Sequence, residues 1–192
     1  KNQITRGTWV VRRVVHVDEP NRRIIFEGSG RETGQDPYFI QLYSVNFDGT
    51  GLTRLTGENG NHQAVFSHDY AYFVDTWSRI DQAAETVLRA TRDGSTLMKL
   101  EKADIRDLLK TGWVMPEVFV STGRDDSTDI WGMIIRPSNF DPKKKYPVIE
   151  YIYAGPHDSF VPKSFATDSR GDLHQLAELG FIVVAIEGTS NP

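Results

Sequence analysis

Short apolar clusters separated by turn residues fill the first hundred positions of the chain. Trp9-Val10-Val11, Val14-Val15, Arg23-Ile24-Ile25-Phe26 and residues 39–47 are bounded by Pro, Gly, Asn and Asp, the pattern of short antiparallel strands. Residues 38–47 alternate in part and end at Asp48-Gly49, where glycine accepts the positive φ of a tight hairpin turn; Leu52-Thr53-Arg54-Leu55 returns as the next strand. The phrase recurs. Asp93-Gly94 follows Val87-Leu88-Arg89-Ala90 and precedes Leu97-Met98-Lys99-Leu100, about 45 residues after the first copy. Upstream of each copy lies another strand, Ile24-Ile25-Phe26 and then Ala71-Tyr72-Phe73-Val74, so each unit holds about four strands. A four-stranded unit at this period is the spacing of β-propeller blades. Two units cannot close a ring, so further blades are expected outside this stretch. A sandwich with two similar hairpins would produce the same phrase, and the repeat alone leaves it open.

After Leu100 the pattern changes. Residues 103–110 predict a short amphipathic helix closed by Gly112, and a domain junction is placed at 101/102. Strands are expected at 117–122, 129–136 and 146–153, the first pair joined by the turn Gly123-Arg124-Asp125-Asp126 and the second strand stopped by Pro137. The run Lys143-Lys144-Lys145 reads as a solvated loop. A helix from about 168 to 179 ends at Gly180, and the continuous apolar run of residues 181–186 suits a strand buried on both faces, as in a parallel sheet. Strand, loop, helix, strand is the opening of an α/β unit. The expected fold class is therefore mainly β, with two blade-like units over residues 1–101 and the first strands and helix of an α/β domain over 102–192.

Composition narrows the chemistry. A net charge of −4 with interspersed signs argues against nucleic-acid binding. The absence of cysteine removes disulfides, thiolate nucleophiles and zinc–thiolate sites. No apolar run reaches the roughly 18–20 residues of a membrane-spanning helix, so no membrane contact by this segment is expected. The start at Lys1-Asn2-Gln3 reads as mid-domain, and truncation at both ends is expected. His62 and His68 have no metal-ligand spacing and read as packing or surface residues. Asp75, Asp125 and Asp126 would bind calcium only if loop oxygens converged. Trp9, Trp77, Trp113 and Trp131 read as core or interface residues. No cofactor is implied.

Several phrases together resemble a known family. These are Pro147-Val148-Ile149-Glu150-Tyr151-Ile152-Tyr153-Ala154-Gly155-Pro156, Ala177-Glu178-Leu179-Gly180-Phe181-Ile182-Val183-Val184, Trp131-Gly132, Arg136-Pro137, Phe140-Asp141, Asp36-Pro37-Tyr38-Phe39, Leu42-Tyr43 and Ala103-Asp104-Ile105. The chain is similar over nearly all its length to the dipeptidyl peptidase IV branch of the prolyl oligopeptidase group of serine peptidases. The resemblance implies a propeller covering an α/β-hydrolase domain, removal of N-terminal dipeptides from peptides, often after proline, and a bacterial periplasmic or envelope location, with the cytoplasm also open. Its partners would be a peptide substrate and, for the parent protein, further copies of itself. It implies that the Tyr153 hydroxyl donates to the oxyanion of the tetrahedral intermediate; His157, close behind the Tyr153 loop, is a candidate to line the substrate cleft. No Gly-x-Ser-x-Gly pentapeptide occurs, so the Ser/Asp/His triad is expected elsewhere and this segment alone is expected to be inactive. Ile186-Glu187-Gly188-Thr189-Ser190 departs from the Asp-Gly-x-Gly-Thr phrase usual in relatives, and no match is found for their substrate-anchoring glutamates. The rival reading is a non-catalytic propeller module binding protein or peptide partners.

Overall fold

A computed structural model describes residues 2–153, 155, 159–166 and 172–188. Among these, strands predominate and helix is scarce, in line with the expected mainly β composition. The chain divides into two compact units, one of Lys1–Arg79 with Ala84–Ala103, the other of Ile80–Ala83 with Asp104–Pro192.

The first unit holds two four-stranded sheets, each following chain order, apart from the first two residues of the seventh strand, Gln82 and Ala83, which fall in the second unit. Strands β1 (Val10–Asp18), β2 (Arg23–Ser29), β3 (Gln41–Asn46) and β4 (Thr53–Arg54) form the first. Strands β5 (Asn61–Phe66), β6 (Tyr72–Arg79), β7 (Gln82–Ala90) and β8 (Thr96–Lys102) form the second. The repeated phrase marks the same place in both, the turn between the third and fourth strands. Gly49 and Gly94 have φ of 86° and 74°. In each turn the preceding aspartate accepts from the residue two places on: Asp48 from the Thr50 N–H (2.9 Å) and hydroxyl (2.7 Å), Asp93 from those of Ser95 (3.0 and 2.7 Å). Hydrogen bonds to the charged form hold both carboxyls below the usual range. Strand β2 is buried on both faces. Ile25 joins Leu42, Leu55 and Phe73 in one core cluster, while its neighbour Phe26 joins Tyr43 and Val45 in another that Trp9 and Ile4 cover. Burying each of these large side chains contributes about 1.5–3 kcal/mol. Strand β8 is exposed throughout.

In the second unit, β9 (Glu117–Thr122), β10 (Asp129–Ile135), β11 (Val148–Ile152) and β12 (Ile182–Ile186) form one sheet in the order β11-β12-β10-β9. The crossover from β11 to β12 passes through helix α2 (Leu173–Glu178), and the two strands pair in parallel, Val148 opposite Ile182 through Ile152 opposite Ile186. Asp172, just before helix α2, adopts a left-handed φ of 55°, and the expected helical residues 168–171 lie outside the described residues. Helix α1 (Arg106–Lys110) is shorter than expected: Asp104 turns its carboxylate to the Arg106 N–H at 3.0 Å in a local turn, and the N-cap residue Ile105 makes no side-chain cap. The core joins Ile80, Met133, Ile135, Val161, Leu173, Ala177, Val183 and Ala185. Burial of β12 on both faces is not observed. Val183 and Ala185 are sealed in this core, whereas Ile182, Val184 and Ile186 on the opposite face are only partly covered.

Candidate functional site

Parallel pairing brings the C-terminal ends of β11 and β12 to one edge of the sheet, the edge where α/β folds place ligands. Tyr153 follows β11 directly, and 58% of it is exposed. The aromatic ring of Phe160 packs against both Tyr151 (4.9 Å between centroids) and Tyr153 (5.8 Å). Gly155 lies beneath the phenol: a Cβ there would fall 2.2 Å from Tyr153 Cε1 and 2.9 Å from the hydroxyl oxygen. Only a residue without a side chain lets the ring fold back over that backbone. Among the described residues none hydrogen-bonds the Tyr153 hydroxyl, which leaves a donor facing solvent at the sheet edge.

Glu187, directly after β12, secures this corner. Its carboxylate accepts the N–H groups of Phe160 (2.8 Å) and Val161 (3.0 Å), and Lys163 Nζ lies 3.1 Å away. Its own N–H donates to the Trp131 carbonyl of β10 at 3.0 Å. The Glu187 and Lys163 side chains are 1% and 8% exposed. A carboxylate this deep is tolerable only because a cation and two backbone donors satisfy it. In the sequence it registered only as a departure from a family phrase; the available signal was an acidic residue closing a buried apolar strand.

His157 and Ser190 lie outside the described residues. His68 is exposed, and His62 is a buried packing residue. His62 Nδ1 donates to the Asp75 carboxylate (2.9 and 3.1 Å), its Nε2 lies 3.1 Å from the Glu58 carbonyl oxygen, and its ring stacks on Trp77. Glu58, His62 and Asp75 thus meet within 4.8 Å, the sole such group among the described residues. The expected lack of metal logic in the spacing missed this cluster, because His62 and Asp75 come from facing strands. The cluster does not fit a metal: Arg89 donates to Asp75 at 2.8 Å and to Glu58, so a fixed cation already occupies the position. Asp125 spends its carboxylate on the Ser127 and Thr128 N–H groups (3.1 and 2.9 Å) and the Thr128 hydroxyl, which hold it far below the usual range, so it closes a turn. Trp9 packs on Phe26 and Tyr43, and Trp113 on His174 and Phe165. A cavity of about 780 Å³ in the first unit is bordered by His16, Arg23 and Tyr70; Arg23 is engaged by the Ser44 hydroxyl and the carbonyls of Thr91 and Arg92.

Residues 1–84 match the family described as Dipeptidyl peptidase IV (DPP IV) N-terminal region. The chain is 30% identical over 190 residues to a probable dipeptidyl-aminopeptidase B of Botryotinia fuckeliana, and 30% identical over 195 residues to human dipeptidyl peptidase 8; each comparison covers 96% of this chain. It spans about a fifth of the length of these relatives, 20% and 21%. A crystal structure of Porphyromonas gingivalis dipeptidyl peptidase 4 superposes with a TM-score of 0.77 over 98% of this chain and 26% of the other, at 24% identity, a likeness of fold. A putative dipeptidyl aminopeptidase IV from Bacteroides ovatus gives 0.75 at 26% identity, over 97% of this chain and 26% of that one.

Proposed function

Because this chain belongs to the dipeptidyl peptidase IV family, we propose that its parent protein is a serine-type peptidase removing N-terminal dipeptides from peptides, and that Tyr153 donates its hydroxyl to the reaction's oxyanion. On this reading residues 1–101 are about two blades of a propeller and residues 102–192 open an α/β-hydrolase domain. The Ser/Asp/His triad would come from another part of the parent, since no Gly-x-Ser-x-Gly occurs here. Attack of the serine on the scissile carbonyl pushes charge onto the carbonyl oxygen, and a fixed O–H donor stabilises that charge more than the neutral ground state.

The observation that carries this reading is a 58% exposed phenol at the C-terminal edge of two parallel strands, wedged between Phe160 and the bare backbone of Gly155. A donor held this way loses little freedom when the charge develops, the condition under which one hydrogen bond counts most. Tyr153→Phe in the full-length protein is expected to lower kcat by about 10²–10³-fold on a proline-containing dipeptidyl chromogenic substrate, with KM little changed. An unchanged kcat would overturn the oxyanion role. The 192-residue chain by itself is expected to give no turnover, and hydrolysis by it would place the nucleophile elsewhere than the reading requires.

A further inference from the structure

We infer that Glu187 is a positioning residue for Tyr153: its buried carboxylate pins the backbone that carries Phe160, and Phe160 in turn holds the phenol in place. This rests on the reading of Tyr153 as oxyanion donor, but its geometry stands apart from that reading. The links are continuous. The β10 carbonyl of Trp131 fixes the Glu187 backbone at 3.0 Å, the Glu187 carboxylate takes the Phe160 and Val161 N–H groups at 2.8 and 3.0 Å, and the Phe160 ring stands 5.8 Å from that of Tyr153. Lys163, 3.1 Å from the same carboxylate, supplies the countercharge and so makes the clamp tolerable in a site closed to water.

The chemistry of the clamp is specific to a carboxylate. Two adjacent backbone N–H groups and an ammonium are all donors, and Glu187 can accept from every one of them. A glutamine would keep one acceptor and turn an NH₂ toward a donor. An aspartate would keep the charge but, one methylene shorter, would not reach Phe160 and Val161 from the end of β12. Val161 also joins Val183 and Ala185 of β12 in the core, so residue 161 is held by packing as well, whereas the Phe160 N–H is fixed by the Glu187 carboxylate.

The test is a double-mutant cycle in the full-length protein, with kcat and KM read on the same dipeptidyl substrate for wild type, Glu187→Gln, Tyr153→Phe and the double variant. Glu187→Gln is expected to lower kcat about tenfold, a coupling typical of residues that act through a shared contact, with KM moved less than about twofold. In the Tyr153→Phe background the same change is expected to cost almost nothing, because the hydroxyl it positions is gone. An equal loss in both backgrounds, or no loss in the wild type, overturns the inference. Glu187→Asp is the second variant should the glutamine not fold, and is expected to show the same non-additivity. A readout independent of turnover is the ¹⁹F resonance of 3-fluorotyrosine at position 153. It is expected to shift or broaden in either Glu187 variant, and an unmoved resonance overturns the inference. If Tyr153→Phe keeps full activity, the oxyanion reading fails while the ¹⁹F result still decides whether Glu187 positions the phenol.

Discussion

At position 75 a fully buried carboxylate meets two cationic or donor side chains, Arg89 at 2.8 Å and His62 at 2.9 Å. Burial alone would push the Arg89 guanidinium down, but the hydrogen bonds and charges of Glu58 and Asp75 outweigh it and raise its pKa. Removing the shared acceptor takes from the buried Arg89 one of its two carboxylates and leaves His62 Nδ1 without its acceptor. Asp75→Ala is therefore expected to cost about 3–5 kcal/mol, read as a fall in the urea midpoint of the first unit's unfolding. Replacing Val65, 65% exposed on the neighbouring strand, should change the midpoint little.

Hairpins between third and fourth strands show how an element depends on one backbone torsion. Gly49 and Gly94 occupy equivalent turns with equivalent aspartate caps, yet their surroundings differ. A Cβ at Gly94 would lie 2.3 Å from the Leu55 carbonyl oxygen and 2.6 Å from Leu55 Cα, whereas one at Gly49 would lie 2.7 Å from the Ile4 carbonyl oxygen, with the Ile4 carbonyl carbon and Cα at an ordinary 3.7 and 3.9 Å. Both alanine variants carry the left-handed penalty of roughly 1–2 kcal/mol. Gly94→Ala is expected to lose clearly more than Gly49→Ala in thermal melts, since the Leu55 backbone is anchored to Leu42 by a 2.7 Å hydrogen bond and cannot yield. These turns were legible in sequence because Asp-Gly encodes them locally. Strand β5 was not legible: its inward set is His62, Ala64 and Phe66, and a polar histidine at a buried position hides the alternation.

At the scale of the first unit, two partly buried glutamates tie loops to strands and set a response to acid. Burial pushes Glu58 up, but the Arg89 hydrogen bond and charge prevail; burial also pushes Glu32 up, but hydrogen bonds from Tyr43 and Arg54 prevail. Both carboxyls are lower in the folded state than unfolded. The stability they contribute is present above the unfolded pKa of about 4.3 and is lost as pH falls through the folded values. Partial exposure screens the magnitude, and a shallow decline is expected. Urea midpoints followed from pH 6 downward should begin to fall near pH 5, and the Glu32→Gln/Glu58→Gln double variant should show a flatter profile.

By itself the sequence determined what is local in this protein: the Asp-Gly turns, the strand runs, and a tyrosine placed where an apolar strand ends. Those follow from backbone torsions and from periodicity over a few residues. Tertiary structure alone decided which polar groups meet. His62 and Asp75 are 13 residues apart, Glu58 and Arg89 are 31, and Glu187 reaches back 27 to Phe160. Each meeting depends on strand register and crossover direction, which settle when whole sheets pair, so no spacing along the chain announces them. The same crossover carries the end of β12 beside the end of β11 and so brings the Glu187 carboxylate to the backbone beneath Phe160.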